Sequence, residues 1–266
     1  MPILLIAIFA LAFGSIVGSF LNVVIYRVPR EESIVFPGSH CTSCGEHIAW
    51  YDNVPILSYL LLRGRCRHCG AHYSARYLLV EALSGAAAVL LVLVPVLGDY
   101  FWRPAVNLPF FAFIAALIVV AFIDIDFKII PDRISLPGIP LGLLVSGLLS
   151  PVGWADSLIG IMLGGGSLLL VALGYYALTR KEGMGMGDVK LLAMIGAWLG
   201  WMSIPFILVT ASFVGALIGG LILLRGRGTL KAQVPFGPFL AGAALVYLFA
   251  GVQITRLYVD LLAGSG

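Results

Sequence analysis

Long apolar runs alternate with short polar connections along almost the whole chain. The first run covers residues 1–26 and contains no charged residue. One long polar stretch, residues 27–77, follows it, and the later apolar runs cover 78–96, 107–123, 135–149, 157–178, 191–224 and 234–252. A helix needs about 20 apolar residues to cross the hydrocarbon core of a bilayer. The pattern therefore predicts an all-α polytopic membrane protein.

The run 191–224 complicates the number of predicted helices. It is too long for one ordinary span at about 1.5 Å per residue and short for two. Basic residues, Lys190 and Arg225, flank both of its ends. This favours a hairpin of two short helices with a turn at 200–205, and the prediction is then about eight transmembrane helices, with seven as the alternative.

Composition excludes a water-soluble globule. Hydrophobic residues make up 61% of the chain, charged residues 11%, and the mean hydropathy is +1.05, whereas a soluble domain is roughly 25% charged. The apolar run at the start lacks the basic residues that precede the apolar part of a signal peptide, so we interpret residues 1–26 as a retained first helix. The net charge of +3 gives no reason to expect a nucleic-acid partner.

The placement of basic residues predicts the orientation in the membrane. If every second connection lies on one side, 14 of the 16 Lys and Arg residues fall on that side. The positive-inside rule makes that side the cytoplasm. The N-terminus is then expected outside, and residues 27–77 form a small cytoplasmic module between the first two helices.

Two CxxC motifs in this module indicate a metal site. Cys41 and Cys44 form the first, Cys66 and Cys69 the second, and 21 residues separate them. Each motif can present two thiolates to one tetrahedral Zn²⁺. The alternatives are disulfides, which a reducing cytoplasm disfavours, or four unrelated thiols. Four histidines nearby could substitute for a cysteine, but we interpret them as solvated loop residues: His40, His47, His68 and His72.

Acidic residues at the ends of apolar runs are candidates for catalysis, because an ionisable group at membrane depth is costly and typically functional. Asp124 ends one run, and Asp188 begins another after Gly185 and Gly187. Two predicted spans lie between these aspartates, so both are expected at the cytoplasmic face. Glu81 lies just inside the second span.

Two aspartates can hydrolyse a peptide bond without a covalent intermediate. Carboxylates within about 3 Å of each other cannot both ionise, so one keeps a proton. The ionised group then activates water and the protonated group polarises the scissile carbonyl. Spacing alone leaves open that Asp124 and Asp188 are only charges at helix ends. We interpret Asp126, Asp132 and Glu182 as such helix-end or capping residues, since Asp is a favoured cap.

An ordered set of motifs resembles the bacterial type IV prepilin peptidase family, whose members are bifunctional leader peptidases and N-methyltransferases with a GxGD signature. The resemblance covers roughly residues 14–245. Besides the CxxC motifs, it rests on 18–27, 53–59, 64–66, 76–77, 80–81, Asp124 with Pro131 and Asp132, the GxGD run 185–188, and 233–239. Two positions depart from the family pattern, Thr42 and Leu78, where proline is common.

The resemblance implies an aspartic endopeptidase with S-adenosylmethionine-dependent N-methyltransferase activity. Its substrates would be prepilins and pseudopilins of type IV pili and type II secretion, cleaved between a basic leader and an apolar helix. Asp124 and Asp188 would be catalytic, with Asp126 and Asp132 as second choices for the first carboxylate. The sequence contains no Rossmann-type signature for the methyl donor, and Glu81, beside the cysteine module, is the one residue we suggest for its site.

The expected organisation is a first helix at 1–26, a four-cysteine zinc module with a methyltransferase role at 27–77, and a protease domain at 78–266, in the bacterial inner membrane. Two other classes remain as alternatives. A proton- or metal-coupled transporter would use intramembrane acids as a relay. A non-catalytic zinc-ribbon scaffold of a secretion machine would need no particular aspartate.

Overall fold

A computed structural model describes residues 2–94, 104–181, 185–224, 235–262 and 264. This part of the chain contains nine α-helices: α1 (Pro2–Arg27), α2 (Leu57–Leu61), α3 (Ala75–Leu93), α4 (Pro104–Phe127), α5 (Asp132–Leu148), α6 (Gly153–Thr179), α7 (Met186–Leu199), α8 (Ser203–Leu224) and α9 (Gly237–Leu262). Short 3₁₀ turns occur at Val28–Arg30 and Trp50–Asp52. Glu182 and the basic connection 225–231 lie outside the described residues.

The predicted all-α membrane architecture is confirmed. The eight long helices among the described residues coincide with the predicted apolar runs, and the run 191–224 divides into α7 and α8. Gly200, with φ 77°, follows α7 in a left-handed conformation that glycine adopts without steric cost. The hairpin prediction is therefore correct.

Not every helix is long enough to cross a bilayer by itself. Five helices of the described chain have the length and composition of membrane spans, namely α1, α3, α4, α6 and α8, and α9 contains a shorter apolar part, Gly237–Gly251. α7 has only 14 residues, or about 21 Å of helix, against a hydrocarbon core of about 30 Å. Proline residues at 137 and 140 lie within the 17-residue α5.

The described residues form two compact units. The first contains α1, the polar module, α3 and residues 114–119 of α4. α1 and α3 pack at very short range through small residues: a Cβ built on Gly14 would lie 2.5 Å from the Ser84 carbonyl oxygen, and one on Gly18 would lie 2.7 Å from the Cα of Glu81. Small residues allow this close helix approach in membranes.

The second unit contains the rest of α4 and α5–α9, with α7 as its buried centre. All residues from Leu191 to Leu199 of α7 are buried. Ser146 of α5 and Ser157 of α6 both donate hydrogen bonds to the Ala197 carbonyl, at 2.8 and 2.7 Å. A helix that is apolar on all faces needs such enclosure, and this enclosure fixes the start of α7, where Asp188 lies.

Candidate functional site

Asp124 lies in the last turn of α4 and is buried, with 5% of its surface exposed. α4 ends immediately after it because Lys128 adopts the left-handed conformation at φ 56° and its N–H bonds the Asp124 carbonyl at 2.9 Å. The carboxylate Oδ2 accepts a hydrogen bond of 2.9 Å from the backbone N–H of Gly237 at the start of α9. A buried carboxylate requires such a partner.

Asp188 lies in the first turn of α7, three residues after the cap residue Gly185. It is partly exposed, and it lies within the range of an electrostatic interaction with Asp124. The positive end of the helix dipole at this turn favours a negative side chain. The structure therefore brings together the two aspartates that the sequence places 64 positions apart.

Ile130, in the connection between α4 and α5, contacts both glycines that flank the two carboxylates. A Cβ built on Gly187 would lie 2.9 Å from the Ile130 Cβ, and one built on Gly237 would lie 3.3 Å from its Cδ1. The connection therefore packs directly against the GxGD turn and the start of α9. A Cβ at Gly187 would be too close to the Ile130 Cβ for both to keep their positions, and one at Gly237 would lie 2.7 Å from Oδ2 of Asp124.

The two alternative aspartates have different surroundings. Asp132, at the start of α5, is exposed and pairs with Lys190 of α7, whose Nζ lies 2.8 Å from both carboxylate oxygens. Asp126 is exposed at the end of α4. Among the four aspartates considered, Asp124 and Asp188 have the surroundings that best suit a dyad, because one is buried and the two interact.

Sequence reasoning missed three residues near this site: Ile130, Lys190 and Gly237. Gly237 falls inside the 233–239 motif that carried part of the resemblance, but nothing in its sequence position indicates a hydrogen bond to Asp124. Gln233 of that motif lies outside the described residues. Contacts of this kind depend on how α4, α7 and α9 pack, and hydrophobic periodicity does not specify that packing.

The four cysteines form a compact cluster in the first unit. Their sulfur atoms all lie within 4.8 Å of one another, and the Sγ atoms of Cys41 and Cys69 are 3.8 Å apart. Zn–S bonds of about 2.3 Å in a tetrahedral site separate the sulfurs by about 3.8 Å. All four are free thiols, so the residues fit one metal ion rather than the disulfide alternative.

The two CxxC motifs repeat one backbone conformation. Gly45 and Gly70, each directly after its second cysteine, have φ 74° and 71°, and their N–H groups bond the carbonyls of Cys41 and Cys66 at 2.8 and 3.0 Å. Each turn aims N–H groups at the first cysteine's sulfur. Those of Cys44 and Ser43 lower the pKa of Cys41 to about 6.

The second CxxC motif shows the same effect, since the N–H groups of Cys69 and His68 lower the pKa of Cys66. Thiolates rather than thiols bind metals, so these turns suit metal binding. The four histidines of the module are exposed, and none belongs to a cluster of metal-binding groups in the described chain. The geometry favours cysteine ligands only.

Glu81 is buried in α3, with 8% of its surface exposed. Its Oε2 accepts a hydrogen bond of 2.7 Å from the backbone N–H of Ile56, which precedes the short helix α2. The sequence suggested this residue for cofactor binding because it adjoins the cysteine module, and the structure adds a direct hydrogen bond to the polar module.

Two family models match the chain. The one described as "Bacterial Peptidase A24 N-terminal domain" matches residues 12–94, and "Type IV leader peptidase family" matches residues 111–220. No solved structure matches the chain.

Relatives with a curated name are similar over almost their whole length. A "Prepilin leader peptidase/N-methyltransferase" of Aeromonas hydrophila is 40% identical, over 93% of this chain and 91% of the relative. Proteins of the same name from Pseudomonas putida and Dichelobacter nodosus are each 37% identical, over 95% and 92% of this chain and 93% and 92% of their own.

The helices, with two aspartates within electrostatic range of each other, fit the class of polytopic membrane aspartic peptidases. Both family models and the identities of 37–40% lead to one assignment. The chain belongs to the type IV leader peptidase family.

Proposed function

We propose that this chain cleaves the leader from type IV prepilins and pseudopilins, and then methylates the new N-terminal residue. The observation that carries the proposal is that Asp124 and Asp188 lie within electrostatic range of each other in a member of the leader peptidase family. The relatives named above carry both activities in their name. No feature of the described residues favours the transporter or scaffold alternatives.

Cleavage follows from two carboxylates that share one proton. The ionised aspartate takes a proton from a water molecule, whose oxygen attacks the scissile carbonyl carbon. The protonated aspartate donates a hydrogen bond to the carbonyl oxygen as negative charge develops there, and a proton then passes to the leaving nitrogen as the C–N bond breaks. General acid–base catalysis of this kind contributes typically 10²- to 10⁴-fold.

Gly237 and the GxGD turn serve this chemistry by position. The Gly237 N–H holds one oxygen of Asp124, which leaves the other available to Asp188 or to water. Gly185 and Gly187 carry no side chains, so an extended substrate strand can approach the backbone closely at these two positions before Asp188. Gly185, Gly187 and Gly237 are thus positioning residues, and the two aspartates are the catalytic residues.

Zn²⁺ is the metal that we propose for the cysteine cluster, held by Cys41, Cys44, Cys66 and Cys69. Four protein ligands leave no open position, which is typical of a structural site. The ion would stabilise a module too small to build a core of its own. The methyl group would come from S-adenosylmethionine, which supplies an electrophilic carbon to the amine released by cleavage.

The proposed topology has the N-terminus outside and the cysteine module in the cytoplasm, in a bacterial inner membrane. We divide the chain into a first helix at 1–26, the zinc and methyltransferase module at 27–77 and the protease domain at 78–266. The 14 basic residues on one side support this orientation. Prepilin leaders are basic and remain in the cytoplasm, where the paired aspartates are expected.

One experiment tests both activities. Purified chain is incubated with a prepilin and S-adenosylmethionine, and the N-terminus of the product is analysed by mass spectrometry. We expect loss of the leader and a gain of one methyl group on the new N-terminal residue. An unprocessed prepilin would refute the peptidase assignment, and a cleaved but unmethylated product would refute the second activity alone.

A further inference from the structure

The first unit contains a cavity of about 870 Å³ between α1, the cysteine module and α3. Small-molecule sites typically have volumes of about 300–1,000 Å³. The wall combines apolar and aromatic side chains with a few buried polar groups, including Asn22 and Glu81. This is the composition of a ligand site, and the proposed peptidase chemistry does not use it.

Glu81 is the most informative residue of this wall. Its carboxylate accepts hydrogen bonds from the Ile56 N–H at 2.7 Å and from the side chain of Ser19. A carboxylate has about four acceptor positions, so two bonds leave it capacity for a ligand. A carboxylate at this depth is costly unless it is paired with positive charge, which makes Glu81 suited to a cationic ligand.

The turn at residues 55–57, which donates a hydrogen bond to Glu81, has a strained backbone. Ile56 has φ 63° and ψ −53°, and the Leu57 N–H bonds the Pro55 carbonyl at 2.6 Å, so Ile56 is the central residue of a γ-turn with positive φ. This turn is rare, and a β-branched residue in it is a clear outlier. Strain of this kind clusters at ligand sites, and here it directs the Ile56 N–H at Glu81.

Asn22 of α1 offers a second unfilled acceptor. It is 4% exposed, and its Nδ2 donates to the Tyr77 carbonyl at 3.1 Å. Its Oδ1 is buried and has no hydrogen-bond partner among the described residues. Buried polar atoms are nearly always satisfied, so an unfilled acceptor in a cavity wall indicates a donor on a bound ligand.

Two other charged groups of the cavity wall, Arg27 and Asp52, are engaged within the module. Arg27 donates to the carbonyls of Ser33 and Pro37, at 2.8 and 2.7 Å. Asp52 accepts from the Nε of Arg67 at 2.8 Å. These hydrogen bonds connect parts of the module to one another, whereas Glu81 and Asn22 can still accept further hydrogen bonds.

We propose that this cavity binds S-adenosylmethionine, with Glu81 as the counter-charge to its cationic groups and Asn22 as an acceptor for one of its N–H or O–H donors. The inference rests on the proposed methyltransferase function. S-adenosylmethionine has a sulfonium, an ammonium, a ribose diol and an adenine ring, and tyrosines in the same wall can stack on the ring: Tyr26, Tyr59, Tyr73 and Tyr77.

The cavity is also linked to the cysteine cluster. Tyr73 lines the cavity, and its hydroxyl lies against the sulfurs of Cys66 and Cys41. Its backbone N–H bonds the Gly64 carbonyl at 2.7 Å. The cysteine cluster thus adjoins one wall of the cavity through Tyr73.

Equilibrium dialysis of the purified full-length chain against methyl-labelled S-adenosylmethionine, without prepilin, measures binding separately from turnover. We expect one bound molecule per chain. Glu81→Gln is expected to weaken binding about tenfold or more, because it removes an ionised hydrogen-bond partner. Glu46→Gln makes the same change at an exposed site outside the cavity wall and is expected to bind like the unaltered chain.

Two further measurements keep the test decisive if Glu81→Gln fails to fold. Asn22→Leu removes the unfilled acceptor and is expected to weaken binding severalfold. Ultraviolet crosslinking of the labelled donor to the unaltered chain is expected to mark peptides within residues 16–81. Normal binding by a folded Glu81→Gln or Asn22→Leu protein, or label confined to residues 104–262, would overturn the proposal.

These outcomes separate the cavity from the proposed function. If the unaltered chain cleaves prepilin but neither binds S-adenosylmethionine nor methylates, the methyltransferase assignment fails. If it methylates and both cavity variants bind the donor normally, only the cavity assignment fails.

Discussion

The backbone N–H of Gly237 donates a hydrogen bond of 2.9 Å to Oδ2 of Asp124, 113 residues away in sequence. It joins the start of α9 to the end of α4. Because Asp124 is buried, this bond satisfies one of its carboxylate oxygens. An intramembrane carboxylate with one oxygen anchored and the other available suits a shared-proton dyad.

Gly237→Ala is expected to reduce prepilin cleavage at least about tenfold, since a bond to a charged group contributes roughly 1.5–3 kcal/mol. The added Cβ would lie 2.7 Å from Oδ2 of Asp124, so the carboxylate must move. The initial cleavage rate measures the effect. Gly242→Ala, in the same helix with open space around its Cβ, is the matched control, and equal rates for both variants would contradict the positioning role.

Asp124→Asn and Asp188→Asn are each expected to abolish cleavage. An amide can neither take a proton from water nor share one with its partner, while its size and hydrogen-bonding capacity leave packing nearly unchanged. Cleavage is followed by product mass, and folding by helical content and thermal unfolding in detergent. Normal processing by either folded variant would show that the dyad is assigned wrongly.

Asp132→Asn is expected to retain cleavage within about fivefold of the unaltered rate. Its pair with Lys190 is largely exposed, with 54% and 30% of the two side chains accessible, and such pairs contribute about 0.2–1 kcal/mol. Lys190→Gln breaks the same pair and should give a similar rate. If Asp132→Asn abolishes cleavage and Lys190→Gln does not, Asp132 takes part in the chemistry itself.

One zinc ion per chain is expected in protein purified under reducing conditions, and Cys41→Ser should lose it. A serine hydroxyl is a poor substitute for a thiolate, and the remaining three sulfurs leave the tetrahedral site incomplete. Elemental analysis measures the metal directly. His68→Ala changes an exposed residue between two of the cysteines and should keep the zinc, so loss of metal from this variant would show that a histidine is a ligand.

Much of this fold is predictable because a membrane imposes a simple pattern. Spans of about 20 apolar residues and the CxxC spacing identified the helices, the hairpin at 191–224 and the cysteine cluster. The contacts of Gly237 with Asp124 and of Lys190 with Asp132 were not predictable, because they join distant segments. The γ-turn at Ile56 was not predictable either, because isoleucine rarely adopts a positive φ.

Close helix packing in the second unit yields a last prediction, for Gly164→Ala. A Cβ at Gly164 of α6 would lie 2.5 Å from the Leu192 carbonyl oxygen in α7, and backbone atoms cannot rotate away. Overpacking of this kind costs about 1–3 kcal/mol, so thermal unfolding in detergent should occur at a lower temperature. Gly174→Ala, in α6 but facing open space, should be neutral or stabilising because alanine favours helix more than glycine does.

Because α7 carries Asp188 in its first turn, Gly164→Ala should also slow cleavage. A Gly164→Ala variant that unfolds and cleaves normally would show that α6 and α7 do not pack this closely.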